Sequence, residues 1–221
     1  SDLLTGDERW FEDRSRVLRD AAGEPTHIEA LLVDITPRKV AEQNLTFQNG
    51  FRAMLAALRA TPDDAGEGEI WLCALHALID AFGLDLAWYG PVQNGETAPL
   101  YWAGPAADYL DGLALTPLGR PPGVSAHCPV RRLLETATPQ AGEVASASDC
   151  PFQAAALKRG LQSVLAIPCF NAERTLTGVL VLYRTETRSF PPGHWDRFQD
   201  LAQEIDALLR ERRLRREADD N

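Results

Sequence analysis

Two cysteines in this 221-residue chain are each followed by proline, in His127-Cys128-Pro129 and Asp149-Cys150-Pro151. Proline redirects the backbone and leaves the preceding sulfur accessible. Either thiol is therefore placed for thiol redox chemistry, or for ligating a haem iron through its thiolate. The plainer alternative is structural, because proline is favoured at the first position of a helix and each pair can simply open one. Cys73 and His76 stand three residues apart on an apolar stretch; a satisfied core pair is the plain reading, a metal or haem ligand the sharper one. The four cysteines show no CxxC spacing, so no zinc site is expected. GxSxG, HExxH, GxxxxGK[ST] and GxGxxG are all absent. On that search no catalytic or metal-binding residue is nominated, and the chain is expected not to be an enzyme.

The elements that must position these residues follow from periodicity. Residues 9–19 and 27–35 alternate as strands about a turn, DAAGEP, and predict an antiparallel hairpin. Thr36 and Pro37 then open a helix to about Ala60, whose apolar stripe includes Val40, Phe47, Phe51, Met54 and Leu58. IWLCALHALIDAFG, 70–83, is a second helix, apolar on most sides and ended by Gly83; it should lie between a sheet and another helix. Strands at 84–92 and 98–104 flank a polar turn, QNGET. An apolar run broken by turn residues covers 109–118. Short helices at 129–139 and 151–160 flank a brief strand at 142–144. The strongest strands are SVLAIPCF, 163–170, and TLTGVLVLYR, 175–184; a long helix over 194–217 closes the chain. This order predicts an α+β fold with an antiparallel sheet and helices packed on one side.

Composition sets the outer limits. Hydrophobic residues at 45% and charged residues at 24% are ordinary for a globular protein. A net charge of −10 disfavours nucleic acid as a partner. The basic run RERRLRRE at 210–217 goes against that balance and reads as a solvated helix face. No apolar run is long enough for a membrane span, and SDLLTGDERW lacks a secretory pattern. A cytoplasmic protein with reduced thiols is expected. A start without methionine, in mid-motif, reads as a piece of something longer.

Gly160 and Ser163 before an apolar strand ending at Pro168, then Gly178 to Leu182, then Phe190 ahead of a long helix, together resemble a GAF domain. GAF domains are small-molecule-sensing modules of signalling proteins. The likeness covers about residues 50–210 and is strongest over the last sixty. One departure lies at Ala137 and Thr138, where family members often carry glycine. The resemblance implies a ligand pocket between the sheet and the loops carrying the short helices. It nominates Trp88, Tyr101, Trp102, Tyr109, Arg120, Cys128 and Cys150 as lining residues, although the aromatics suit a core equally well. Bilin-binding GAF domains carry a cysteine about thirteen residues before the serine position, close to where Cys150 precedes Ser163. Those cysteines are typically followed by histidine, and here Pro151 stands in that place. No cofactor is required by this reading; haem and bilin stay open as alternatives.

Trp10, the turn at Asp20 to Gly23 and DITPRKVAEQNL resemble the C-terminal end of a PAS domain and its exit motif. The expected organisation is a truncated PAS hairpin over 1–36, a signalling helix over 37–60, a GAF domain over 61–192 and an exit helix over 193–221. The resemblance implies a sensory fragment of a bacterial signalling protein, detecting a small molecule or redox state. It would transmit as a homodimer through its N- and C-terminal helices to an output such as a diguanylate cyclase or histidine kinase. A ligand-free GAF dimerisation scaffold is the alternative.

Overall fold

The computed structural model describes residues 9–111, 117–119, 127–187, 190 and 192–219, apart from the side chains at 109, 111, 194, 217 and 219. The chain divides into two compact units, Ser1–Asn49 and Gly50–Asn221.

In the first unit, β1 (Phe11–Arg19) and β2 (Pro25–Asp34) form the antiparallel hairpin that alternation predicts. Asp20 builds its turn: the carboxylate accepts from the Ala22 N–H at 2.8 Å and the Glu24 N–H at 3.0 Å, and Gly23 takes φ +85°. The hairpin hands over to α1 (Thr36–Arg59) through a local knot of hydrogen bonds. Asp34 accepts from the Thr36 N–H at 2.9 Å, and the Thr36 hydroxyl accepts from the Trp10 N–H at 2.8 Å. Every residue of β2 is exposed, Ile28 and Leu32 among them at 73% and 65%. Residues 36–49 of α1 belong to this unit and 50–59 to the second.

The second unit is built around one antiparallel sheet. α2 (Glu67–Phe82) leads in, starting three residues before the apolar run. Its start is set by polar chemistry that periodicity does not register: Gly66 is the N-cap, and the Glu69 carboxylate accepts the Gly66 N–H at 2.7 Å. Gly83 caps the other end in the left-handed conformation, φ +59°. β3 (Leu86–Gln93) turns through Asn94 and Gly95, both with positive φ, into the two-residue strand β4 (Glu96–Thr97). β5 (Tyr101–Ala103), α3 (Asp108–Asp111), β6 (Leu118–Gly119), α4 (Pro129–Thr136) and β7 (Gln140–Glu143) follow. Next come α5 (Gln153–Lys158), β8 (Ser163–Phe170), β9 (Leu176–Arg184) and α6 (Trp195–Asp219). Among the described residues the strand order is β6-β4-β3-β9-β8-β7, with β5 also beside β3.

Both faces of the sheet are covered, so β8 and β9 are apolar at nearly every position instead of alternating. On one face α2 packs against β3 and β5, and α6 against β8. Trp71 of α2 stacks on Tyr89 with ring centroids 3.6 Å apart, and Phe198 of α6 meets Phe82 edge-on at 5.1 Å. The other face buries Leu86, Trp88, Val164, Ala166, Val179 and Val181 under α4, α5 and the segment between them.

α6 is tied to the loop before α2 by two arginines one turn apart. Arg212, 7% exposed, donates to the carbonyls of Pro62 and Thr61 and to the Thr61 hydroxyl. Arg216 donates to the carbonyls of Asp64 and Ala65. Among the described residues, no helix is long and apolar enough to cross a membrane.

Candidate functional site

The candidate site lies on the sheet face opposite α2 and α6. Pro129 does open a helix there, as the first residue of α4 with Cys128 as its extended N-cap, whereas Pro151 stands one residue ahead of Phe152, the N-cap of α5 (Gln153–Lys158). A cysteine side chain makes a poor cap, and the backbone donors ahead of α4 are met instead by Asp149. Its Oδ1 accepts from the His127 N–H at 3.0 Å and the Cys128 N–H at 2.7 Å. The Arg131 guanidinium stands 3.7 Å from Asp149 Oδ2. One carboxylate thus joins the start of α4 to the segment that carries Cys150.

That segment is held in turn. Cys150 N–H donates to the Ala147 carbonyl at 2.9 Å. Gln153, at the start of α5, donates its amide to the carbonyls of Val144 and Ala145 at 3.1 and 2.7 Å. The result brings Cys128, which is buried, and Cys150, which is partly exposed, onto the wall of one cavity. Their interaction pulls the two titrations apart. Cys150 is held below the usual thiol value, first by the Cys128 thiol, then by the Phe152 N–H and the Arg131 charge, with burial and the Asp149 carboxylate opposing. Cys128 is pushed up, first by the Cys150 thiol and then by burial.

Both cysteines line a cavity of about 10 Å³, room for about one water molecule, together with Val144, Phe152, Val164 and Tyr183. A tetrapyrrole does not fit this cavity as its described walls stand. Among the described residues, no three His, Cys, Asp or Glu side chains are grouped to hold a metal ion.

The nominated lining residues separate by strand register. Trp88 and Trp102 face each other across β3 and β5 and belong to the same face as the cysteines, with Trp88 wholly buried. Tyr101 pairs with Tyr89 and points the other way, toward α2, where its ring lies parallel to that of Tyr89 at 6.4 Å. Tyr109 lies on α3, but its side chain is outside the described residues, as is Arg120. Asp149, Arg131 and Tyr183 were not nominated. Asp149 stands inside the DCP triplet, yet the donors it accepts from, at His127 and Cys128, are more than twenty positions away, and short-range spacing carries no such signal.

No protein-family model matches the sequence, and no curated protein matches it. Solved structures do. The free methionine-R-sulfoxide reductase from Neisseria meningitidis, in complex with its substrate, superposes with a TM-score of 0.58 at 17% identity, over 76% of this chain and 90% of that one. The GAF domain of a phosphoenolpyruvate-protein phosphotransferase (ptsP) from Coxiella burnetii gives 0.56 at 17% identity, over 77% and 96%. The GAF domain of A. aeolicus nlh2, in an inactive state, gives 0.55 at 12%, over 78% and 98%. The fold is that of a GAF domain.

This corrects one expectation. The missing hydrolase, zinc-protease and nucleotide-loop motifs led to the reading that the chain is not an enzyme. Free methionine-R-sulfoxide reductases share the fold, so the GAF architecture can be enzymatic and the exclusion does not stand. The motifs sought belong to other reaction classes and say nothing about reductase chemistry.

Proposed function

We propose that the chain is a sensory and regulatory segment of a bacterial signalling protein, in which the GAF unit detects a small molecule or redox state. In this reading residues 1–36 are the closing hairpin of a PAS domain and 37–60 a signalling helix. Residues 61–192 form the sensor, and 193–221 lead to an output such as a diguanylate cyclase or histidine kinase. Two chains pair through α1 and α6, and a change of angle or register between the helices carries the signal.

One observation carries this reading: the sheet is a single layer between the candidate site and α6. Val164 of β8 lines the cavity, while α6 packs on the opposite face of that strand. A side chain pushed at the cavity therefore displaces a strand that the exit helix rests on. Sedimentation at micromolar concentration tests the mechanism. A dimer is expected; a strict monomer, both for this chain and for a longer protein containing it, would overturn it.

A ligand-free dimerisation scaffold is the second reading, and the small size of the cavity favours it. Thermal-shift screening with nucleotides and metabolites separates the two. A reproducible rise in Tm supports the sensor, and a flat response with an intact dimer supports the scaffold.

A further inference from the structure

The four thiols have different surroundings. Cys73 donates to the Ala57 carbonyl at 3.6 Å, and Cys169 is buried on the face of β8 opposite the cavity. Cys128 and Cys150, by contrast, line the wall of one cavity. The backbone holds them there: Asp149 immediately precedes Cys150, and its carboxylate receives the N–H of Cys128 itself at 2.7 Å. Cys150 is the more accessible of the two; the Phe152 N–H and the Arg131 charge favour its thiolate, against burial and the adjacent Asp149 carboxylate. An attacking thiolate needs access and such donors; a second thiol on the same cavity wall is what resolves it.

We propose that Cys128 and Cys150 are a reversible dithiol switch, with Cys150 attacking a small hydroperoxide and Cys128 resolving the product into a disulfide. In the first step the Cys150 thiolate attacks one peroxide oxygen. An S–O bond forms, the O–O bond breaks, and the departing oxygen takes a proton as water or alcohol. Cys150 is now a sulfenic acid. Cys128 sulfur then attacks the Cys150 sulfur, the S–S bond forms, and the hydroxyl leaves as water with the proton from Cys128. Two thiols are oxidised by two electrons in all, and one peroxide is reduced. A dithiol reductant reverses the change by exchange. Formation of the disulfide stands on the pair alone; its use as an input signal rests on the sensory reading above.

The test is thiol mapping on the full chain. The reduced protein is treated with hydrogen peroxide at neutral pH, alkylated, and analysed by intact mass and peptide mapping. Alkylatable thiols should fall from four to two, with a mass loss of about 2 Da, one Cys128–Cys150 linked peptide, and full recovery in dithiothreitol. Cys128→Ser should instead accumulate a sulfenic acid on Cys150 that dimedone captures, and Cys150→Ser should keep its remaining thiols. Both cysteines alkylating fully after oxidation would overturn the proposal. So would a disulfide to Cys73 or Cys169, or direct passage of Cys150 to sulfinic acid in the unsubstituted protein. Mapping the unsubstituted chain decides the matter even if a variant fails to fold. Sedimentation of the oxidised and reduced forms is a separate readout. A disulfide that forms without altering the helices would sink the signalling role and leave the switch intact.

Discussion

Two of the antiparallel strand pairs, β1 with β2 and β8 with β9, are long hairpins, and their fates are opposite. β1 and β2 are joined by a tight, well-made turn and pair along their whole length, yet almost every side chain on them is exposed. β8 and β9 have no better turn, Asn171 to Thr175, with Arg174 in a positive-φ conformation, and yet they are buried on both faces. Strand pairing is a local property, written in alternation and turn chemistry. Burial is a property of what the rest of the chain supplies. The apolar residues of β1 and β2, including Phe11, Val17, Ile28, Leu31 and Leu32, stay exposed among the described residues.

The sharpest way to break this contrast is Ile167→Ala, at a wholly buried position of β8. It should cost about 3 kcal/mol of stability, seen as a lower urea midpoint with unchanged m. Arg212→Met comes next. It leaves the Thr61 carbonyl without the Arg212 donor and the Pro62 carbonyl with the Ala65 N–H only, and should cost about 2 kcal/mol, with hydrogen exchange rising first in residues 61–65. Ala137→Gly goes the other way. Ala137 ends α4 in the left-handed region at φ +51°, so glycine should stabilise by about 1 kcal/mol, read as a higher Tm. Smallest is Ile28→Ala in β2, which should lie within about 0.5 kcal/mol of the unsubstituted chain. A loss at Ile28 as large as that at Ile167 would show that the hairpin is covered in solution and end the comparison.

The same division between local and supplied information explains what could be read from sequence. Strands β8 and β9, helix α6 and the hairpin of β1 and β2 were legible because each carries its own periodicity. The brief strand expected at 142–144 lies at Gln140–Glu143, since its bounds follow pairing with β8 and not any preference of its own. Position 137 has a physical reason to favour glycine, the left-handed cap of α4. The candidate site was legible in its cysteines, each marked by a following proline. Asp149, which joins them, was not, because its role is a contact between distant segments. Tyr101 and Trp102 were nominated together, but neighbours on a strand point to opposite faces, and only one can serve a given site.

The arginine pair on α6 has a practical consequence for anyone grafting a foreign effector onto this helix. Arg212 and Arg216 fix the rotational phase of the helix against the loop at 61–65, like two pins in one key. A splice placed before Arg212 would move both pins unless it preserved their phase. A splice placed after Arg216 leaves them seated. From there, adding three or four residues advances the effector by about one helical turn, while adding two swings it to about the opposite side. The last pinned carbonyl thus marks the boundary between the part of the helix that belongs to the GAF fold and the part free to be rewritten.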